Sequence, residues 1–403
     1  MESRRSQNST TNKLPDIPIR SGWYELHQYV KPAVDADSLS IPFPLLNALR
    51  NKVSQLPGFE RVQFVFYHLP EVQYLEARGH ISGITSKLAR VIPNAQPFPA
   101  KLGLIGLPYS QRFSLFLNTL LTHEIGHFVY QETQQEVEIA RFVVAELQAA
   151  GTAPPAGRPQ DFTWSADRMK SWAEEVFCDL FAVRIAGPAY SLAFIELLDL
   201  ARSGYPDPSG RFSTDKEHAF YDSHPAHAFR LARQVELLER LGWWPQVRSF
   251  KTHYIDVLQR AAETQESQYV YGPSAQDATM CAAALAAFLK MAPKITERIE
   301  KIANSLDAGA NEFSETHALI AEYLHRGIVP STLVDNGRFI YPGPFAVLNA
   351  AYKVSLESID QLIAKVEPEE RTAAARSSWQ RRLELWALKA FEDHERITLS
   401  QVA

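Results

Sequence analysis

The apolar positions of this chain recur mainly at three- and four-residue steps, which predicts a largely helical protein. The longest such run extends from Ser110 to about Ala150, and we expect one buried helix there. Further helical patterns follow, two of which are expected to end at Gly187 and Gly242. The apolar positions that carry the longest run are Phe113, Phe116, Leu117, Leu120, Leu121 and Phe128.

Two segments near the N-terminus show a strand pattern instead. Residues 61–69 (RVQFVFYHL) and 101–108 (KLGLIGLP) are rich in β-branched, aromatic or aliphatic residues and are bounded by Pro or Gly. Stretches dense in Pro and Gly predict a loop at 151–164 and a break between helices at 327–344. The predicted fold class is therefore α+β and predominantly α-helical, with a small N-terminal sheet and a helical C-terminal extension.

Composition divides the 403 residues into three parts. Residues 1–20 are polar and basic and predict a flexible N-terminal arm. Residues 21–264 hold the predicted strands and the helices with candidate chemistry, and we expect them to form one catalytic domain. Residues 265–403 form a helical C-terminal region that is a candidate partner-binding module. Its series Trp379, Leu383, Trp386 and Phe391 falls at roughly helical spacing, which is more typical of a core than of a partner groove.

Charge and hydropathy exclude several classes of function. The net charge is -5 and both signs are spread along the chain, so no basic stripe for nucleic acid is present. The most apolar run, Met280 to Leu289, falls well short of the roughly 18 residues that a membrane-spanning helix needs. The arm lacks the apolar core of a secretory signal. We therefore expect a cytoplasmic protein without a transmembrane segment.

The two cysteines, Cys178 and Cys281, further limit the possible chemistry. This number suits a reducing compartment and excludes both a disulfide framework and a cysteine-based zinc site. We therefore expect any metal to be held by histidine and carboxylate.

The stretch LLTHEIGHFVYQE lies inside the predicted buried helix. Residues four apart share a helical face, so His123 and His127 can present two imidazole nitrogens to one ion. Glu124 then stands close enough to deprotonate a metal-bound water without being a ligand. This is the HExxH arrangement, and the alternative is a helix with polar residues on one side.

A third ligand is needed, because catalytic zinc sites usually have three protein ligands and one open position. The next helix supplies an ExxxD pair: Glu175 could coordinate the ion while Asp179 receives the N–H of a liganding histidine. Glu174 is the neighbour that could replace Glu175. Taken alone, the pair is more typical of the solvent-exposed face of an amphipathic helix; together with the upstream HExxH it favours a metal site.

The segment YDSHPAHAFR follows a loop and begins a further helix. His224 and Arg230 could reach into a cleft there and stabilise the negative oxygen that forms during hydrolysis. The alternative is a capped helix start with a surface arginine. His218 and His227 are possible substitute ligands, although neither lies in an HExxH-like arrangement.

The order HExxH, ExxxD after a long gap, and SHP with an arginine six residues beyond the histidine resembles the gluzincin metallopeptidases. It is most similar to soluble relatives of the CaaX prenyl protease and heat-shock membrane protease family. The resemblance covers Thr122 to about Arg230. It implies a zincin-like catalytic core that binds Zn²⁺. Within it, the zinc ligands would be His123, His127 and Glu175, with Glu124 as general base, Asp179 as a supporting group, and His224 and Arg230 lining the site.

The sequence therefore predicts a zinc metallopeptidase that acts on a peptide or protein. We expect extended substrate to pair with the strand at 102–107, which precedes the HExxH helix. The alternative is a non-catalytic or latent zincin-like metal-binding sensor or scaffold whose C-terminal helices bind a partner protein.

Overall fold

The structure is a computed structural model in which most of the chain after residue 41 is described. The predicted N-terminal arm at 1–20 lies outside the described residues. The described ranges are 42–69, 75–76, 102–108, 111, 113–149, 159–202, 217–221, 223–250, 252–272, 278–303, 317–357, 359–366 and 373–402.

One helix and a three-stranded sheet form the N-terminal part of the described fold. Helix α1 (Phe43–Val53) is followed by strands β1 (Gln63–Leu69), β2 (Leu75–Glu76) and β3 (Leu102–Pro108). The strand order is β1-β3-β2, with β3 parallel to β1 and antiparallel to β2. Both strands predicted from the sequence are confirmed.

The central position of β3 limits where substrate could pair with this strand, and the pairing itself stays a prediction. A strand can bind an added peptide only along an unpaired edge. β3 has β1 along its whole length on one side, and β2 pairs with Ile105 and Gly106 on the other. A peptide could therefore pair with β3 at these two residues only by displacing β2.

The segment predicted as one long helix is divided into three pieces. A 3₁₀ turn (Leu117–Leu120) leads into helix α2 (Leu121–Glu132), and helix α3 (Gln135–Ala149) follows after a break. Gln134 lies in the break with a φ of 56°. A positive φ does not continue a right-handed helix, so the backbone changes direction here. The prediction of a single helix from residue 110 to residue 150 is therefore wrong.

Two helices joined by a sharp turn form the centre of the fold. Helix α4 (Pro159–Ala186) ends before Gly187, where φ is 66°, and helix α5 (Pro188–Arg202) begins directly afterwards. A positive φ suits glycine because it has no Cβ, and the predicted helix end is confirmed. The loop predicted at 151–164 is helical from Pro159, because proline at a first helical position loses no intrahelical hydrogen bond.

Short elements connect α5 to the C-terminal region. Strand β4 (Ala219–Phe220) precedes helix α6 (His227–Arg240), and the predicted stop at Gly242 is confirmed by its φ of 73°. The elements that follow are helices α7 (Trp244–Val247) and α8 (His253–Glu263), a 3₁₀ turn (Glu266–Gln268) and strand β5 (Val270–Tyr271), which is parallel to β4.

The C-terminal region is mostly helical, as predicted, and also contains a β-hairpin. The hairpin turn consists of Asn336 and Gly337, with φ of 49° and 78°. This pair favours tight hairpin turns, although the sequence analysis interpreted the segment only as a break. The elements are α9 (Ala278–Ala303), α10 (His317–His325), β6 (Leu333–Asp335), β7 (Arg338–Ile340), α11 (Pro344–Glu357), α12 (Ile359–Val366) and α13 (Ala373–Val402).

One hydrophobic cluster joins the C-terminal helices to the rest of the described fold. Buried side chains of α11 and α13 belong to the same cluster as those of α2, α4 and α5. Trp379, Leu383 and Phe391 are buried in it, and Trp386 packs against it. This apolar series therefore faces the core. The domain boundary between residues 264 and 265 stays a prediction.

Asn349 of α11 fixes the turn between α4 and α5. Its Nδ2 donates to the carbonyl oxygen of Ala186 at 2.8 Å, and its Oδ1 accepts from the backbone N–H of Ala189 at 2.7 Å. A Cβ atom on Gly187 would lie 3.1 Å from Asn349 Nδ2. The C-terminal region thus supports the end of α4.

The predicted fold class, α+β and predominantly α-helical, is confirmed. The described strands form one three-stranded and two two-stranded sheets, while helices make up most of the described chain. None of the helices in the described ranges has the length and apolar character needed to cross a membrane.

A carboxylic acid lies buried where α13 contacts the segment before α2. Glu384 accepts a hydrogen bond from Ser114 Oγ at 3.2 Å and another from Arg381 Nη1 at 3.2 Å. Burial raises the pKa of Glu384 to about 7; Arg381 and Ser114 oppose this shift, and the charge of Glu196 adds to it. The folded state therefore holds a proton over a pH range in which the unfolded chain has lost it.

We expect Glu384→Gln to change the pH dependence of stability. In the wild type, the proton on Glu384 favours the folded state fully below the ordinary pKa of 4.5, and this contribution is lost as the pH rises through about 7. The wild-type free energy of unfolding should therefore fall relative to the variant by on the order of 2–3 kcal/mol across this window. Urea unfolding at a series of pH values measures the difference.

Glu392→Gln is the matched control for this experiment. Glu392 lies on the same helix but pairs with Lys389 near the surface, so its variant should follow the wild type at every pH. A difference between wild type and Glu384→Gln that does not vary with pH would contradict the prediction.

Candidate metal centre

Helices α2 and α4 cross so closely at Gly126 that no side chain fits between them. A Cβ atom on Gly126 would lie 2.9 Å from Cys178 Cα and 3.1 Å from Cys178 Cβ. Glycine therefore allows the two backbones to approach. The crossing brings His123 and His127 of α2 against Glu175 of α4, and the two imidazole ring centres lie 4.9 Å apart.

The Nε2 atoms of both histidines face the carboxylate of Glu175. His123 Nε2 lies 3.5 Å from Glu175 Oε2, and His127 Nε2 lies 3.7 Å from Glu175 Oε1. Donor atoms that share one ion at about 2.1 Å in tetrahedral directions lie about 3.4 Å apart. Each of these two distances between a histidine nitrogen and an oxygen of Glu175 is therefore compatible with donors that share one divalent ion.

A further carboxylate contacts each histidine ring at its other nitrogen. Asp179 Oδ1 lies 2.9 Å from His123 Nδ1, and Glu174 Oε1 lies 2.9 Å from His127 Nδ1. Carboxylates in this position fix the ring orientation and leave Nε2 for a metal. Asp179 thus lies where the sequence analysis expected a supporting group. Glu174 was expected only as a replacement for Glu175. It contacts Nδ1 of His127 instead, the nitrogen opposite the one that faces Glu175.

Asp179 is held in turn by two further side chains. Arg230 donates from Nε to Asp179 Oδ2 at 2.6 Å and from Nη2 to Oδ1 at 2.7 Å, and its Nη1 lies 3.2 Å from Glu175 Oε2. Tyr190 donates to Asp179 Oδ1 at 2.5 Å, and its hydroxyl lies 3.2 Å from His123 Nδ1. No motif in the sequence indicated Tyr190, because it comes from α5, beyond the ExxxD helix.

The carboxylates around the two histidines raise the pKa of both imidazoles. Burial lowers the pKa of His123, but hydrogen bonds to Asp179 and Glu175 outweigh it, so the pKa rises to about 10. Burial also lowers the pKa of His127, but the hydrogen bond to Glu174 and the charges of Glu175 and Glu124 together outweigh it and raise the pKa. A metal ion must displace any proton on a donor nitrogen, so metal binding and proton release are coupled.

His224 lies beside the carboxylate of Glu175. Its Nε2 is 3.4 Å from Glu175 Oε1, and its Nδ1 is 2.7 Å from Ser223 Oγ. Burial by itself raises the pKa of Glu175, but the charges of His224 and Arg230 hold this pKa well below its usual range. Glu175 therefore stays ionised, and the structure brings both His224 and Arg230 to the donor group.

The carboxylate of Glu124 is not engaged by its surroundings. It makes no hydrogen bond or ion pair with any residue in the described part of the chain. It is half-buried in the first turn of α2, and its charge helps to raise the pKa of His127. Unengaged within the described chain and beside two histidines that could hold a metal ion, this carboxylate is placed to take a proton.

A thiol belongs to a further donor group that the sequence analysis excluded. One ligand atom each of His123, His127 and Cys178 lies within 4.8 Å of the other two, in a group that could hold a metal ion. The expectation that only histidine and carboxylate are available is therefore incomplete. The sequence did contain an indication of this donor, because Cys178 follows Glu175 by three residues and therefore shares its helical face. Glu175 is the better donor in the metal-free protein, because burial raises the pKa of the Cys178 thiol well above its usual range.

The two histidines considered as substitute ligands lie elsewhere. His227 packs edge-on against Phe194, with ring centres 6.0 Å apart, and the backbone carbonyl of His218 accepts a hydrogen bond from Val270. Both histidines line a cavity of about 360 Å³ whose lining includes no residue of α2 or α4.

Comparison of the chain with protein-family models, with curated proteins and with solved structures gave no match. The likeness to gluzincins consequently rests on the motif residues themselves.

We expect Tyr190→Phe to weaken metal binding while leaving the fold intact. The change removes the hydrogen bond that holds Asp179 against His123, and loss of such a supporting group costs about 10- to 100-fold in metal affinity. Competition with a chromophoric chelator for zinc measures the affinity. Tyr352→Phe is the control, because Tyr352 is a buried tyrosine that bonds Glu196 instead. Equal zinc affinities of wild type and Tyr190→Phe would contradict the supporting role.

Proposed function

We propose that this protein is a zinc-dependent metallopeptidase in which Glu124 is the general base. One observation carries the proposal: the imidazoles of His123 and His127 converge on Glu175, beside a Glu124 carboxylate that is unengaged within the described chain. Zinc held there would acidify a bound water and polarise the carbonyl of a peptide bond.

Glu124 supplies the proton transfers of the proposed reaction. Its carboxylate accepts a proton from the attacking water and returns it to the nitrogen of the cleaved bond. The water oxygen adds to the carbonyl carbon and the π electrons move to the carbonyl oxygen. When that oxygen re-forms its double bond, the bond from carbon to nitrogen breaks, and the products are a carboxylic acid and an amine. A purely structural metal site has no need for such a base.

The groups behind the donors orient them. The two hydrogen bonds from Arg230 to Asp179 support a positioning role for Arg230, since they engage the guanidinium away from the substrate. His224 is the better candidate for stabilising the oxygen that becomes negative during attack. Its Nε2 lies at the edge of the donor group, 3.4 Å from Glu175.

The resemblance to gluzincins supports a peptide or protein as the substrate. The compartment we propose is the cytoplasm. Both cysteines are buried and no disulfide joins them, which suits a reducing environment.

Metal content and peptide cleavage together test the proposal. The purified wild type should hold about one zinc per chain, and His123→Ala and Glu175→Ala should lose it. Glu124→Gln should keep the zinc and cleave a broad peptide library at least about 100-fold more slowly, because it cannot accept the proton. Glu132→Gln, the same change at the other end of α2, should keep both properties.

The outcomes separate binding from catalysis. If Glu124→Gln cleaves peptides as fast as the wild type, the proposed mechanism fails even where zinc is bound. If the wild type binds no metal under any condition, the cluster is a buried network of ion pairs and the peptidase proposal fails with it.

A second candidate is a non-catalytic or latent metal-binding sensor or scaffold. The nearness of Cys178 favours it, because a fourth protein donor would leave no open position for water. The version in which a partner docks on Trp379 and Phe391 is weakened, because both side chains are buried. Zinc-loaded wild-type protein that cleaves no peptide of the library would favour this candidate.

A further inference from the structure

The thiol of Cys178 has no use in the proposed hydrolysis. It is fully buried and makes no hydrogen bond or ion pair with any residue that the structure describes. A free cysteine in a core is often only a small apolar side chain. Here, however, a ligand atom of Cys178 lies within 4.8 Å of ligand atoms on both His123 and His127.

The helix crossing fixes the place of this thiol. Cys178 Cα and Cβ would lie 2.9 and 3.1 Å from a Cβ on Gly126, the residue between the two histidines. The backbone of α4 therefore lies directly against the turn of α2 that carries His123 and His127. The Cβ that carries the sulfur is thus fixed beside this turn, within reach of both imidazoles.

We infer that the candidate centre has a second binding mode, in which the Cys178 sulfur joins His123 and His127 around a thiophilic metal ion. The inference rests on the proposed function, because both modes use the same histidines. Sulfur ligands select soft ions such as Cd²⁺ and Cu⁺ over harder ones. Zinc with nitrogen and sulfur ligands needs these atoms about 3.6 Å apart. An ion with longer bonds bridges separations of up to 4.8 Å with less rearrangement.

Binding in this mode exchanges a proton for the metal ion. The S–H bond of Cys178 breaks, its electron pair binds the ion, and the proton passes to solvent, with no change in oxidation state. With Glu175 also in place, four protein donors surround the ion. The position that water needs is then filled, so a thiophilic ion inhibits the proposed hydrolysis.

Cadmium titration of the metal-free, full-length protein tests this mode. Absorption from sulfur-to-cadmium charge transfer in the ultraviolet reports the sulfur bond directly. We expect the wild type to gain this band and Cys178→Ser to lose it while binding cadmium about 100-fold more weakly. Cys281→Ser removes the other buried cysteine and should keep both the band and the wild-type affinity.

Two results would overturn the inference. They are a wild-type cadmium complex without the band, and a band of equal strength in Cys178→Ser. With either result, the peptidase proposal still holds if zinc binding and Glu124-dependent cleavage persist. A wild type that binds neither zinc nor cadmium overturns both the peptidase proposal and the second binding mode. Cadmium NMR of the wild type distinguishes sulfur from nitrogen and oxygen donors, so the test remains decisive if Cys178→Ser does not fold.

Discussion

The candidate centre depends on the close crossing of α2 and α4 at Gly126. Because a Cβ there would lie 2.9 Å from Cys178 Cα, any larger residue would separate the helices. The separation would move His123 and His127 away from Glu175, and the donor atoms would lose the spacing that one ion can bridge. Because glycine has no side chain, Gly126 thus sets the geometry of the candidate centre.

Burying this many charges is costly, and the fold offsets the cost with matched pairs. Arg230 is shared between Asp179 and Glu175, and Glu174 contacts His127 at the nitrogen opposite the donor face. Such networks seldom increase stability over an apolar core of the same size, and strongly shifted pKa values cluster at functional sites. The same carboxylates favour a positive charge at the histidines, and a divalent ion would supply such a charge.

The C-terminal region supports the two helices that carry the centre. Asn349 holds the turn at the end of α4. Near the start of α2, the ring of Tyr352 stacks on Phe116 with centres 4.4 Å apart, and Glu384 accepts a hydrogen bond from Ser114. Contacts of this kind give the region a structural role within the same core as the centre. They also explain why its apolar series faces inward.

The sequence by itself determined the fold class, the helix end at Gly187 and the pairing of His123 with His127. These features follow from helical spacing and from the conformational freedom of glycine, which are local properties of the chain. The central place of β3, the break between α2 and α3, and the contacts of Cys178 and Tyr190 were decided only by the tertiary structure. Each of them depends on how distant segments pack or on backbone conformation that packing selects, and no periodicity along the chain encodes those distances.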